Sequence, residues 1–311
     1  MLKPVIFRQI NAELRKIFIS STFYQNTNFY SRQYSSQPIS MAYNEYGTAE
    51  QETGTLPLII MHGLLGSKNN WRGMSKALSS KFKPSRKIYA LDARNHGESP
   101  HTNVHDYESM SSDLSFFLQE KNIKKAVLMG HSMGGRAMMY FALKYPDLVD
   151  RAIILDISPI DVPRDFFQMK NLFIAMVTAE VTKGTPLPKA RSIVEAHIRS
   201  AIKDDAPYDF ILQNLKKTED GSIIWAPNVK LLLDNLEIIG SFPSNILKSH
   251  QYKGPTLFIA GSKSNFLNPD HWPEIQLTFP NSHLVWLDCG HLVHFEQPQQ
   301  FIENVSKFMN E

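Results

Sequence analysis

Short apolar runs alternate along the chain with longer amphipathic segments. Runs of four to six residues that are almost uniformly apolar and bounded by turn residues are typical of strands buried in a parallel sheet. They occupy residues 57–61, 87–91, 126–129, 152–155, 255–260 and 283–287, and a more exposed first strand is predicted over 39–46. Segments of helical character follow at 69–79, 111–121, 136–144, 272–278 and 298–310. This alternation predicts an α/β fold with a mostly parallel, helix-covered sheet.

The alternation stops between residues 160 and about 252. Helical segments rich in Met, Phe, Leu and Ile follow one another there, at 166–177, 189–202, 210–216 and 229–239, with no strand predicted between them. We interpret this region as an inserted cap whose apolar side chains form much of a pocket and exclude water from it. The alternative, that these are ordinary helices covering the sheet, is not excluded by their spacing.

The first 34 residues have a different character. On a helical wheel Leu2, Ile6 and Leu14 fall on one side and Arg8 and Arg15 on the other, and residues rich in Ser, Thr and Asn follow. This composition is typical of a mitochondrial presequence. We therefore expect a presequence over residues 1–34 and a mature domain over 35–311, processed near the sequence Arg-Gln-Tyr-Ser-Ser. A disordered basic tail or a surface-binding helix is the alternative.

Composition and charge narrow the class of protein. The chain has 311 residues, 42% of them hydrophobic, which is enough for a substantial core. Residues 1–34 carry five basic side chains and one acidic one, so the rest of the chain holds 28 basic and 29 acidic residues and gives no reason to expect nucleic acid as a partner. The single cysteine, Cys289, excludes an internal disulfide framework. No apolar run approaches the roughly 20 residues that span a bilayer.

The residues that follow strand 126–129 carry the clearest motif in the chain. Gly130, Ser132 and Gly134 fit the pattern G-x-S-x-G, in which a serine sits in a strained turn between a strand and a helix. We interpret it as a nucleophile elbow, with Ser132 as the nucleophile.

Acyl transfer also requires donors for an oxyanion. Two backbone N–H groups serve this purpose, one after the nucleophile and one in the loop that follows an early strand. On that logic the donors are the N–H groups of Met133 and of Leu64, and Gly63 lets the backbone come close.

A serine hydroxyl needs a base to activate it. His291 directly follows Gly290 after the last predicted strand and is the preferred base, with His294 as the alternative. His96 comes too early for the order Ser, Asp or Glu, His that this type of site follows. We interpret His96 as a residue that orders its loop.

The acid that orients the base is less obvious. In most proteins of this shape it follows the penultimate strand, but that segment, residues 261–265, contains no carboxylate and Asp270 lies too far along the chain. Asp156 ends the strand that follows the elbow strand, from which a carboxylate can reach the same histidine. We therefore assign Asp156 as the acid and Ser264 as an auxiliary hydrogen-bonding group.

Five motifs together carry a family resemblance. H-G-L-L-G-S, D-A-R-N-H-G-E-S-P-H, G-H-S-M-G-G-R, D-I-S-P and G-H-x-x-H-F-E-Q-P resemble the α/β-hydrolase superfamily over about residues 39–310. More narrowly, the chain is similar to the mitochondrial α/β-hydrolase-domain proteins and the fungal ethanol acetyltransferases, whose branch carries an aspartate at the position of Asp156. The resemblance implies a mostly parallel sheet with helices on both faces and a helical cap before the penultimate strand.

The resemblance also implies a reaction. It is the transfer of an acetyl group from acetyl-CoA to ethanol through an acetyl-serine, with side thioesterase activity on acetyl-CoA and esterase activity on ethyl acetate. The partners would be these small molecules and the mitochondrial import and processing machinery, in the matrix, with neither a cofactor nor a metal ion. Two alternatives stay open: a mitochondrial esterase or thioesterase that uses only water, and a non-catalytic mitochondrial partner protein.

Overall fold

The computed structural model of the chain describes residues 37–48, 54–161, 163, 166, 169–202 and 207–311. The predicted presequence, residues 1–34, lies outside the described residues. Within them, no helix is both long enough and apolar enough to pass through a membrane.

Seven strands of the described chain form one sheet. Its strands are β1 (Tyr43–Tyr46), β2 (Leu58–Met61), β3 (Ile88–Leu91), β4 (Ala126–His131), β5 (Val149–Leu155), β8 (Thr256–Gly261) and β9 (Ser282–Leu287). The strand order is β1-β3-β2-β4-β5-β8-β9, in which β1 is antiparallel to β3 and every other neighbouring pair is parallel. The predicted mostly parallel sheet is therefore confirmed.

Helices connect these strands in the order expected for crossovers between parallel strands. They are α1 (Arg72–Ser79), α2 (Tyr107–Glu120), α3 (Met133–Lys144), α4 (Met169–Thr178), α5 (Leu187–Ala201), α6 (Tyr208–Leu212), α7 (Val229–Asp234), α8 (Leu236–Ile239), α9 (Ser244–Ser249), α10 (Trp272–Thr278), α11 (Val293–Glu296) and α12 (Pro298–Asn310). Short 3-10 turns at Lys68–Trp71, Pro146–Leu148 and Pro269–His271 precede α1, β5 and α10.

Alternate residues of the sheet face two separate apolar clusters. Leu58 and Ile60 of β2 pack in the cluster that contains the buried side chains of α1 and α12. Ile59 and Met61 pack in the larger cluster, with α2, α3 and the helices of residues 160–252. Because side chains alternate along a strand, both faces of the sheet are covered by helices, as predicted.

The prediction that residues 160–252 contain no strand is wrong. Leu215–Lys217 (β6) and Ile223–Trp225 (β7) form an antiparallel pair, with Lys216 opposite Ile224. The turn between them contains Asp220 and Gly221, and Gly221 adopts a φ of +86°. An Asp-Gly pair between short apolar segments is a hairpin signal, but three-residue strands are too short to show the alternation that identifies a strand.

Several helices also differ from the prediction. The helix predicted at 210–216 is α6 (Tyr208–Leu212), the one predicted at 229–239 is divided into α7 and α8, and α9 and α11 have no predicted counterpart. Helix α3 begins at Met133 rather than at residue 136, and α2 begins at Tyr107 rather than at residue 111. The start of α2 is capped by Asp106, whose carboxylate accepts a hydrogen bond from Ser109 N–H at 2.7 Å. Gly134 and Gly135 at the start of α3 are poor helix formers, so the sequence predicted a longer turn before the helix.

Hydrogen bonds to buried groups attach residues 160–252 to the sheet. The guanidinium of Arg136 in α3 donates to the carbonyls of Asp161 at 2.9 Å and Ile239 at 3.4 Å. At a second point, Asn214 Nδ2 donates to Leu65 O at 2.8 Å. The cap is thus joined both to the helix after the elbow and to the loop after β2.

A buried ion pair stabilises the loop after β3. Arg94 donates from Nε and Nη2 to Asp113 at 2.6 and 2.7 Å, and neither side chain is exposed. Ile39 N–H donates to the same carboxylate at 2.9 Å, which also fixes the segment before β1.

Replacing Asp113 by alanine is expected to lower the free energy of unfolding by about 3–5 kcal/mol, because a guanidinium stays buried without its carboxylate. Urea unfolding followed by circular dichroism measures the change. The control is Asp234→Ala, which removes the exposed pair with Lys230 and should move the urea midpoint little. Equal shifts in the two variants would contradict the expectation.

Candidate active site

The predicted site residues lie together at the carboxyl edge of the sheet. Ser132 directly follows β4, Asp156 directly follows β5, Ser264 lies in the loop after β8, and His291 lies in the loop after β9. Because the carboxyl ends of neighbouring parallel strands meet at one edge, loops distant in sequence are adjacent there.

The backbone of Ser132 is strained. Its φ and ψ are 53° and −122°, an unusual conformation for a residue with a side chain. Ser132 N–H donates to Leu155 O at 3.0 Å, which holds the turn against the end of β5. Strain of this kind is characteristic of the strand-to-helix turn that exposes a nucleophile.

Close backbone contacts explain the glycines of the motif. A Cβ atom at Gly134 would lie 2.5 Å from the carbonyl oxygens of Met61 and His62, and one at Gly130 would lie 2.3 Å from Gly134 O. These neighbours are backbone atoms, which cannot move away from the added atom as a flexible side chain could. The elbow therefore requires glycine on both sides of the serine so that α3 can pack against the ends of β2 and β4.

Asp156 is fully buried, and its carboxylate is held by donors from two loops. Oδ1 accepts a hydrogen bond from Gly261 N–H at 2.8 Å. Oδ2 accepts one from His291 Nδ1 at 2.7 Å and another from the hydroxyl of Ser264. A carboxylate only accepts hydrogen bonds, so His291 carries its proton on Nδ1 and leaves Nε2 as an acceptor.

His291 is fixed from two further directions, through its ring and through its backbone carbonyl. The ring of Phe266 stacks on it, with centroids 3.9 Å apart and planes 21° apart. His131 Nε2 donates to His291 O at 2.9 Å. Burial, and next the neighbouring His291, lower the pKa of His131 well below its ordinary value, so His131 is neutral. Sequence reasoning missed both contacts, although His131 lies within the elbow motif itself.

His294, the alternative base, is buried and makes different contacts. Its ring stacks on Trp71, with centroids 4.3 Å apart and planes 7° apart, and burial lowers its pKa to about 3. The hydrogen bond to Asp156 is made by His291, not His294. The stacking partner lies far away in sequence, which is why the spacing of the two histidines could not separate their roles.

The loop after β2 is ordered as expected. Gly66 N–H donates to Gly63 O at 2.9 Å, and Leu65 N–H donates to His96 Nε2 at 3.2 Å. Within the described residues no hydrogen bond is made by Leu64 N–H. Met133 is the first residue of α3, so its N–H has no acceptor inside the helix. The two predicted donors are thus available to an oxyanion.

A cavity of about 690 Å³ opens beside these residues. Ser132 and His291 both line it, although in the described residues no hydrogen bond joins Ser132 Oγ to His291; such bonds are often loose before substrate binds. Most of the lining is apolar. It includes Leu64, Trp71, Phe166, Met169, Leu172, Ile202, Phe210, Ile211, Phe266 and Phe295. Since residues 166–211 of the cap supply six of these side chains, the cap covers the elbow.

Among the described residues, no group of three or more His, Cys, Asp or Glu side chains is arranged to hold a metal ion. Ser132, Asp156 and His291 form an arrangement suited to nucleophilic catalysis.

Several known proteins are similar to this chain in sequence or in fold. Residues 57–298 match the model of the family described as alpha/beta hydrolase fold. The chain is 35% identical to the sn-1-specific diacylglycerol lipase ABHD11 of Danio rerio, over 88% of this chain and 83% of that protein. It is 30% identical to ethanol acetyltransferase 1 of Eremothecium cymbalariae, over 88% and 81%. Among solved structures, a marine microorganism esterase aligns with a TM-score of 0.77 and 29% identity, covering 87% of this chain and 99% of that one.

Gly134→Ala is expected to destabilise the protein by about 1–3 kcal/mol, because the added methyl group meets two backbone carbonyls. Gly73 in α1 is the matched control, since nothing lies within 4 Å of a Cβ added there. Gly73→Ala should be neutral or stabilising by up to about 1 kcal/mol. Thermal unfolding of both variants measures the difference, and a loss of the same size in both would refute the close-contact explanation.

His294 makes the stability depend on pH. Its pKa is about 3 in the folded protein, against 6.5 for the free side chain, so the unfolded chain takes up a proton that the folded chain does not. The contribution of His294 to stability is therefore lost as the pH falls from 6.5 towards 3, by about 1.4 kcal/mol per pH unit, in addition to the losses from the other buried histidines whose pKa is lowered. His294→Phe keeps a ring against Trp71 and removes this proton uptake. Between pH 7 and pH 5, the free energy of unfolding measured in urea should fall by about 2 kcal/mol more in the wild type than in the variant. An equal fall in the two proteins would contradict this expectation.

Proposed function

The chain belongs to the alpha/beta hydrolase fold family, and we propose that it transfers acyl groups through a covalent intermediate on Ser132. His291 is the general base, and Asp156 holds it in the required tautomer. The observation that carries the proposal is the Asp156–His291 hydrogen bond of 2.7 Å beside a serine in a strained elbow. The ABHD11 lipase, acetyltransferase and esterase relatives support a serine hydrolase or acyltransferase.

The reaction proceeds in two halves. Ser132 Oγ attacks the acyl carbonyl while His291 Nε2 takes its proton, and the bond to the leaving group breaks as His291 returns that proton to it. The acyl-serine is then attacked by an acceptor whose proton passes to His291 and back to Ser132. The N–H groups of Leu64 and Met133 hold the oxyanion in both halves. None of these steps needs a cofactor or a metal ion.

The acceptor decides the product. With acetyl-CoA as donor, ethanol gives ethyl acetate and water gives acetate. The relative named ethanol acetyltransferase 1 supports the alcohol, and the apolar lining contributed by the cap favours it, because a pocket poor in polar groups holds little water. We propose ethanol as the acceptor, in mitochondria, with thioesterase and esterase activity as side reactions in water.

The size of the cavity allows a second candidate, although acetyl-CoA, the donor in the first, is also far larger than ethyl acetate. Ethyl acetate has six non-hydrogen atoms and occupies roughly 180 Å³ at about 30 Å³ per atom. The cavity of about 690 Å³ is several times larger and lies in the range of pockets that enclose extended ligands. The second candidate is therefore hydrolysis of longer-chain esters by water, which the relative named as a diacylglycerol lipase also supports.

One assay separates the candidates. Purified protein is incubated with acetyl-CoA, with and without ethanol, and ethyl acetate and acetate are measured; in parallel, hydrolysis is measured on esters of increasing acyl length. Ethyl acetate above the uncatalysed rate supports the transferase. Its absence, with kcat/KM rising with acyl length, supports the hydrolase. Activity in neither assay would overturn the proposal.

Ser132→Ala should lower kcat in either reaction by at least about 10⁴-fold, and Asp156→Asn by about 10⁴-fold because His291 is then held in the wrong tautomer. Labelling with a fluorophosphonate probe should be lost in Ser132→Ala. An activity of Asp156→Asn within about threefold of the wild type would assign the acid to another carboxylate.

A further inference from the structure

Four of the described side chains that line the cavity are both polar and buried. They are His62, His131, Ser132 and His294. Both ring nitrogens of His62 bond to backbone groups, at 2.7 and 3.1 Å, and Nε2 of His131 donates to the carbonyl of His291 at 2.9 Å. Ser132 is the nucleophile of the reaction proposed above. The presence of His294 in the cavity wall is therefore the one that these contacts do not explain.

His294 makes no hydrogen bond within the described residues. Its Nδ1 is enclosed by the protein without a partner, and its side chain lines the cavity. Burial lowers its pKa to about 3, so the ring is neutral and carries one N–H group and one lone pair. Because buried N–H groups are left unpaired more rarely than buried acceptors, the enclosed Nδ1 holds the lone pair. Nε2 then carries the proton and is a donor for a molecule in the cavity.

Aromatic rings hold this donor in place. The ring of His294 stacks on Trp71 with 4.3 Å between centroids, and the rings of Phe295 and Phe301 lie 4.5 and 6.0 Å from it. An imidazole enclosed in this way has little freedom to lose when a ligand binds. Its hydrogen bond also forms away from bulk water, where such bonds are electrostatically stronger.

The position of His294 identifies the part of the substrate that it meets. Its ring centroid lies 5.0 Å from that of His131, which in turn lies 4.6 Å from that of His291. In the proposed reaction His291 returns a proton to the leaving group, so the leaving group lies on this side of the cavity. A substrate group that reaches His294 is therefore part of the leaving group, a few bonds beyond the reacting carbonyl.

Building on the function proposed above, we propose that His294 binds the leaving group of the substrate, through a hydrogen bond from Nε2 to a neutral oxygen a few bonds beyond the reacting carbonyl. Two kinds of acyl donor have such an oxygen. One is a thioester whose thiol bears an amide, as in acetyl-CoA, and the other is an ester of a diol or triol, whose alcohol bears a free hydroxyl. A simple alkyl ester has none, so His294 is a specificity-determining residue that favours polar leaving groups over alkyl ones.

Two pairs of substrates of matched shape test this recognition. S-acetyl-N-acetylcysteamine is compared with S-isohexyl thioacetate, in which methyl and methylene groups replace the amide oxygen and nitrogen. Ethylene glycol monoacetate is compared with propyl acetate, in which a methyl group replaces the hydroxyl. In each pair, the measured quantity is the ratio of kcat/KM for the polar substrate to kcat/KM for the alkyl substrate.

His294→Phe keeps a ring against Trp71 and removes the donor. It should lower this ratio by at least about 10-fold in one or both pairs, because the polar substrate loses a buried hydrogen bond that the alkyl substrate never made. The pair that responds identifies the class of leaving group, the thiol that bears an amide or the alcohol that bears a hydroxyl.

The matched control is His283→Phe, the same substitution at an exposed residue of β9 that does not line the cavity. It should leave both ratios within about twofold of the wild type. His294→Gln keeps an N–H donor without the ring and should retain more of the ratio than His294→Phe. Melting temperatures of all variants show that they are folded.

The ratio separates recognition from packing. A histidine that only packs against Trp71 affects both members of a pair alike, so equal losses on the polar and alkyl substrates would overturn the inference and leave the proposed function intact. A wild type that hydrolyses none of the substrates and is not labelled by the fluorophosphonate probe would overturn the proposed function, and the inference with it.

Discussion

The buried carboxylate of Asp156 is the interaction on which the site depends. A charge with no exposure to water is costly unless donors surround it. Three groups donate here: the backbone N–H of Gly261 at the end of β8, the hydroxyl of Ser264 in the loop after β8, and the imidazole of His291 in the loop after β9. Satisfying this one group therefore draws the loops after β8 and β9 toward the end of β5 and orients His291 at the same time.

The histidines around the site have different roles because their surroundings differ. Burial lowers the pKa of His131 and His294, so both stay neutral and act as a hydrogen-bond donor and a stacking ring. His291 is the one of the three that meets a carboxylate, and all three line the cavity. Because the rings of His131 and His294 are neutral and His291 alone is hydrogen-bonded to the carboxylate, His291 is the histidine suited to carry a proton in the proposed reaction.

The cap determines what the site can accept. Its apolar side chains form one wall of the cavity, while the sheet loops form the other with the elbow and the base. Arg136 ties the cap to α3, and Asn214 ties it to the loop after β2, so the shape of the pocket and the order of these elements are coupled. In the proposed reaction, the choice of acyl group and of acceptor would therefore depend on the cap, and the chemistry on the residues at the edge of the sheet.

The sequence by itself predicted the order of the main strands and helices, because apolar periodicity extends over a few consecutive residues, and its short glycine patterns pointed to Ser132, Asp156 and His291, with Ser264 as an auxiliary group, as candidate site residues. It did not reveal the β6–β7 hairpin, whose strands are too short to show a period. Only the tertiary structure decided that His291 rather than His294 meets Asp156, and that Phe266 stacks on the ring of His291. These contacts depend on the register between β5, β8 and β9 and on a tryptophan far away in the chain, and such long-range geometry leaves no local pattern.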